Sequence, residues 1–247
     1  VIKLEIPLVQ NPFAPYQNLH SGETAILFGS GPSLLNFDSG KISSEVLQFG
    51  INDQIFLDLD LDYWFMGDSH RQDPAYFFDK FELYDEYKPL KQKFVRYCNW
   101  AHQEFIQSGP HKVPRSGQLP LNMQHTKYYP ADSAGNPERC LFNKDLATGH
   151  LQAVSSITFE ILQFVLYTGV EKLFLVGHDC DYTTGDYNGS NIGKNLNAGY
   201  WISKYWGVCA PWIAQNYPKL EIYWVEPKGL DMFTPITLEA AYEMMNQ

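Results

Sequence analysis

The chain alternates short apolar runs with polar, glycine- and proline-rich breaks, and its later half carries apolar stripes at helical spacing. Thr24–Phe28 (Thr-Ala-Ile-Leu-Phe) is an unbroken apolar run ending in Gly-Ser-Gly-Pro-Ser-Leu, which predicts a strand, a tight turn and a helix start. Val46–Ile51, Tyr63–Met66 and Lys93–Cys98 predict three further strands. Ile2–Ile6 predicts a short strand followed by an arm, and Asp73–Pro74 opens a predicted helix with Tyr76, Phe77, Phe81 and Leu83 on its apolar side. Val154–Tyr167 is a stronger helix prediction, with Ile157, Ile161, Leu162, Val165 and Leu166 on one side and Gly169 as its stop. Leu173–Val176 and Leu220–Val225 predict two more strands. A helix is expected over 198–214, kinked or broken at Pro211, and another over Thr237–Met245.

Strands alternating with helices imply an α/β fold: a Rossmann-like, mostly parallel sheet with helices on both faces. Residues 99–147 carry Pro110, Pro114, Pro120, Pro130 and Pro137 without a periodic pattern, and are expected to be an irregular lid or substrate loop. The chain is therefore read as one nucleotide-binding domain over 1–247, with 99–147 inserted in it.

Composition narrows the partners. The net charge is −10 with only 18 Lys and Arg, so no nucleic acid polymer is expected as a partner. Single nucleotides remain compatible, because backbone amides can bind them. Cys98, Cys140, Cys180 and Cys209 form no C-x-x-C pair, which points to free thiols. No apolar run is long enough to span a membrane and no secretory leader is legible, so a cytoplasmic location is the expectation. The P-loop, H-E-x-x-H and G-x-S-x-G patterns are missing, and Leu34 replaces the third glycine of the dinucleotide fingerprint.

Parallel sheets gather functional groups at the carboxyl ends of their strands. Here those ends are polar: Gly29, Ser30, Gly31, Pro32 and Ser33; then Asn52, Asp53 and Gln54; then Asp68 and Ser69; then Gly177 to Tyr182. Gly29 and Gly31 would let backbone amides approach a ligand. Asn52 is compatible with a turn role and Asp68 with a helix N-cap. His178 could act as a base or close a core hydrogen bond. Asp179 and Asp181, two apart, could converge on a cation but make a thin metal signal on their own. Asp58, Asp60 and Asp62 read as a solvated turn or edge strand.

Gly-Pro-Ser-Leu after the first strand, paired with the distal Gly169-Val-Glu-Lys-Leu-Phe-Leu-Val-Gly177-His-Asp179, resembles a known superfamily. It contains small bacterial sialyltransferases that use CMP-sialic acid, and related motility accessory factors and 6-hydroxymethylpterin pyrophosphokinases. The resemblance covers Thr24–Asp68 and Ala153–Tyr182. It implies a glycosyltransferase taking a nucleotide-activated sugar, a CMP-linked acidic sugar, and a glycan acceptor, with no cofactor required. Gly31, Pro32, Ser33, Asn52, Ser155 or Ser156, Asp179 and Tyr182 would line the nucleotide. The sialyltransferases have Asn where this chain has Ser30, and glycine where it has Ile157. Their proposed base is a histidine well downstream, and none follows His178 here, so His178 or Asp181 would have to take that part. Two rival readings are a pyrophosphokinase-like enzyme holding Mg²⁺ on Asp179 and Asp181, and a nucleotide- or glycan-binding protein without turnover.

Overall fold

The computed structural model describes residues 12–52, 54, 57–67, 92–97, 126–135, 138–154, 156–180, 196–228 and 230–247. The readings at Ile2–Ile6, at the Asp73–Pro74 helix and over most of the expected lid lie outside these residues.

Among the described residues nine strands form one sheet: β1 Thr24–Phe28, β2 Leu47–Ile51, β3 Tyr63–Met66, β4 Gln92–Tyr97, β5 Thr126–Gly135, β6 Leu151–Val154, β7 Lys172–Val176, β8 Glu221–Val225 and β9 Thr234–Ile236. Their order is β6-β5-β4-β3-β2-β1-β7-β8-β9, and each adjacent pair of strands runs parallel. Among the described residues three α-helices accompany them: α1 Ile157–Thr168, α2 Leu196–Asn216 and α3 Leu238–Met245. Alternate residues of the central strands go to opposite faces. Ala25 and Leu27 join Phe49, Phe65, Leu173 and Leu175 in a core with α1 and α2. Ile26 and Phe28 join Trp64, Met66, Phe174 and Val176 in a second core with Ala241 and Met245 of α3. Burial on both faces is why these strands read as continuous apolar runs.

Four expectations change. Residues 99–147 are not irregular throughout, because β5 lies within them. Its Pro130 and the small polar residues after it hid the strand from the sequence. Residues 126–130 pair with β4 and residues 131–135 with β6, so Pro130 sits where the strand passes from one neighbour to the other. Second, Val154 ends β6 instead of opening a helix. The helix begins at Ile157, where the Ser156 hydroxyl accepts a hydrogen bond from the Thr158 N–H at 3.3 Å. Third, Pro211 does not break α2, which runs on through it. Its buried stripe of Ile202, Tyr205, Trp206, Cys209 and Ile213 outweighs the cost of a proline in a helix interior, about 3 kcal/mol. Fourth, β9 is an additional short strand. Gly169 ends α1 as expected, at φ +84°.

Candidate functional site

Strands β2 to β6 lie on one side of β1 and β7 to β9 on the other, so the direction of winding reverses between β1 and β7. In open α/β sheets, ligands occupy the crevice at the carboxyl ends of strands flanking such a reversal. Gly29–Ser33 and Gly177–Asp179 both stand there.

The two segments are tied by backbone contacts. The Gly29 N–H donates to the Val176 carbonyl at 2.7 Å and the Gly31 N–H to the Gly177 carbonyl at 2.6 Å. Pro32 begins a short 3₁₀ turn, Pro32–Asn36, and the Ser33 N–H donates to Asp179 Oδ2 at 2.8 Å. A Cβ on Gly29 would stand 2.4 Å from the Gly177 oxygen, and one on Gly31 would stand 2.4 Å from Asp179 Oδ2. These glycines therefore let two strand ends meet. Their amides are spent inside the protein, which corrects the expectation that they stay open for a ligand. Gly177 adopts φ +75°, and a Cβ there would meet the Gly29 oxygen at 2.6 Å.

The Asp179 carboxylate is 2% exposed. Its Oδ2 holds the Ser33 amide, while Oδ1 and the Ser33 hydroxyl have no hydrogen-bond partner among the described residues. Buried polar atoms are nearly always paired, so these two stand out among the described residues at the reversal point.

His178 is buried and belongs to the packing. Its Nε2 lies 3.0 Å from the Leu27 carbonyl, its ring stands edge-on to Trp206, and its own carbonyl accepts from Trp224 Nε1 at 3.2 Å. Burial pushes its pKa down to about 4, with the Leu27 bond and the Asp179 charge opposing the shift. The neutral ring donates Nε2–H to Leu27, so of the two readings left open by the sequence the geometry favours the core hydrogen bond. A depressed histidine contributes stability that is complete above its unfolded value and lost as pH falls through the folded one. Wild-type protein is thus expected to lose stability between pH 6.5 and pH 4 at up to about 1.4 kcal/mol per unit from this group. Chemical denaturation of wild type and His178→Gln across that range checks it, with a flatter profile expected for the variant.

The polar edge continues along β2 and β3. Asn52, at φ 43°, accepts the Gly67 N–H on Oδ1 at 3.2 Å and the Trp64 indole N–H on its carbonyl at 2.7 Å. Gln54, fully buried, donates from Nε2 to the Gly29 carbonyl at 2.7 Å and accepts the Ile51 N–H at 2.7 Å. It stitches the ends of β1 and β2 together. The sequence offered only a glutamine in a polar strand end, with nothing to set it above its neighbours. A Cβ on Gly67 would stand 2.7 Å from Ile157 Cδ1, so the α1 start, capped by Ser156, closes the row beside β3. Ser30, Gly31, Pro32, Ser33, Asn52, Ser156 and Asp179 thus lie along one carboxyl edge. Asp68, Ser155, Asp181 and Tyr182 lie outside the described residues.

Asp58 and Asp60 are exposed, the alternating Leu59 and Leu61 are buried, and Asp62 Oδ2 accepts the Gln48 N–H at 2.9 Å. Among the described residues no three His, Cys, Asp or Glu side chains cluster as a metal site, and no helix is long and apolar enough to cross a membrane.

No protein-family model matches the chain, and no curated protein matches it. Among solved structures, the chain is similar to the sialyltransferase CstII from Campylobacter jejuni in complex with cytidine-5'-monophosphate, with 15% identity and a TM-score of 0.47 over 83% of this chain and 80% of that one. A second CstII complex, with CMP-3FNeuAc, gives 15% identity and a TM-score of 0.42 over 82% and 79%. The monofunctional alpha-2,3-sialyltransferase Cst-I from Campylobacter jejuni gives 16% identity and a TM-score of 0.44 over 82% of this chain and 75% of that one.

Proposed function

We propose that this protein is a glycosyltransferase that binds a nucleotide-activated sugar, a CMP-linked acidic sugar, at the carboxyl ends of β1, β2 and β7. One observation carries this reading. The two motifs that resemble the sialyltransferase superfamily, Gly31–Leu34 and Gly177–Asp179, are far apart in sequence and meet at the reversal point through the Ser33 N–H to Asp179 bond.

The chemistry of the unpaired atoms orients the donor. Asp179 Oδ1 is an acceptor and the Ser33 hydroxyl can accept or donate. They suit a ribose hydroxyl or a base amino group. A phosphate would meet a buried carboxylate there, so it lies farther along the edge. With His178 engaged by Leu27, Asp181 is the remaining candidate for the base that deprotonates the acceptor hydroxyl. Tyr182 would offset charge on the leaving phosphate.

A thermal-shift panel of CMP, CDP, UDP, GDP and ATP, each in EDTA and in millimolar Mg²⁺, tests the reading. CMP is expected to stabilise most, by about 2.7 kcal/mol at a hundredfold excess over Kd, equally with and without Mg²⁺. Release of CMP from a CMP-linked acidic sugar, in the presence of a glycan acceptor, tests transfer. Stabilisation by ATP alone, and only with Mg²⁺, would replace this reading with the pyrophosphokinase one.

A further inference from the structure

Cys140 and Cys209 stand 69 positions apart in the chain yet share one core cluster. Tyr205, Cys209 and Trp212 fall on one side of α2, since residues three and four apart on a helix are neighbours. The segment leading to β6 lies along that stripe. The Leu141 N–H donates to the Tyr205 hydroxyl at 3.3 Å. The Phe142 ring stands edge-on to Tyr205 at 6.0 Å and to Trp212 at 5.6 Å. Cys140, one residue before this anchor, packs against the core cluster that holds Cys209, which places the two thiols within reach of each other. Cys209 is fully buried, while Cys140 is only partly so.

We infer that Cys140 and Cys209 are a redox-modification site, which a peroxide oxidant converts to a disulfide fastening the 138–142 segment to α2. The Cys140 sulfur attacks hydrogen peroxide, the O–O bond breaks, and hydroxide leaves and is protonated to water. Cys140 is then a sulfenic acid, its sulfur oxidised by two electrons and the peroxide reduced by two. The Cys209 sulfur attacks that sulfur, the S–O bond breaks, and a second water leaves with the Cys209 proton. The net change is two thiols and one peroxide to one disulfide and two waters.

The roles follow from the surroundings. The hydrogen bonds from Cys209, the Phe142 backbone and the Tyr205 hydroxyl hold the Cys140 thiol below its ordinary range, while burial raises that of Cys209. Cys140, the more exposed of the two, is therefore the attacking thiol and the fully buried Cys209 the resolving partner. Cys180 is a contrasting case: burial and the Asp179 charge raise its thiol to about 12, which leaves it inert.

The test treats the intact protein with one equivalent of hydrogen peroxide and reads mass, peptide connectivity and melting temperature. The expected result is the loss of two hydrogens and one cross-linked pair of peptides holding Cys140 and Cys209. Dithiothreitol should reverse both, and Tm should rise by roughly 5–10 °C in the oxidised form. Cys140→Ser should show no cross-link. Sulfinic or sulfonic acid on Cys140 beside an unmodified Cys209, or a cross-link through Cys98 or Cys180, would overturn the inference. Connectivity is read on the wild-type chain, so the test holds even where the variant folds poorly.

Discussion

Gly29→Ala is expected to destabilise the protein by about 4 kcal/mol, well beyond an ordinary overpacking change. The new methyl would lie 2.4 Å from the Gly177 oxygen, 2.8 Å from His178 Nδ1 and 2.9 Å from the Gly177 carbonyl carbon. Two of these atoms are backbone, so no side chain can turn aside to relieve the contact. Separating the strand ends would also strain the Gly29 N–H to Val176 bond and the Gln54 bond to the Gly29 carbonyl. The measurement is denaturant unfolding, with Gly207→Ala as the comparison. Gly207 lies inside α2, where among the described residues a Cβ would meet only Met232 Cε, at 3.7 Å. There the same methyl should stabilise by up to about 1 kcal/mol through helix propensity. Opposite signs for one chemical change would show that close approach, and not flexibility, fixes glycine at position 29. A loss at Gly29→Ala below about 1 kcal/mol, within the range of ordinary substitutions, would mean the strand ends can part freely.

What the sequence revealed and what it hid divide along a physical line. Strands β1, β2, β3, β7 and β8 were legible because they are buried on both faces and their neighbours are turn residues. β5 was not, because Pro130 and Asp132–Gly135 carry the composition of a loop. Only the sheet shows that the proline lies between two pairings. The helix at 157–168 was legible from its stripe, but its start was not. Val154 fits a strand or a helix equally, and the deciding group is the Ser156 hydroxyl. At the site, the motif residues were found by type and position. Their hydrogen-bond assignments were not, because no local pattern tells a glycine that admits a ligand from one that admits a neighbouring strand. His178 followed the same rule: a histidine at a strand end looks reactive until its partner, Leu27 from 151 positions earlier in the chain, is in view. Gln54 was hidden because its value lies in joining two strand ends, a tertiary property.

Asp179→Asn is expected to move binding and stability in opposite directions. The amide has the carboxylate's shape, and its oxygen can still accept the Ser33 N–H that Oδ2 now holds at 2.8 Å. The second oxygen, unpaired among the described residues, becomes an NH₂ group. A buried carboxylate with one unsatisfied oxygen is costly, so its neutral replacement should leave the unliganded fold as stable as before or slightly more so. For a ligand that donates a hydroxyl or amino hydrogen to Oδ1, the same change sets donor against donor. It removes a hydrogen bond to a charged group, worth about 1.5–3 kcal/mol, so nucleotide affinity should fall on the order of a hundredfold, near 2.7 kcal/mol. Calorimetry with the nucleotide that stabilises the wild type most, beside denaturant unfolding of both proteins, measures the two quantities. Asp179→Ala separates the two roles, since it also strands the buried Ser33 amide and should lower stability and binding together. Unchanged affinity in a folded Asp179→Asn protein would reduce Asp179 to a tie between β1 and β7, and the donor would have to lie elsewhere along the edge.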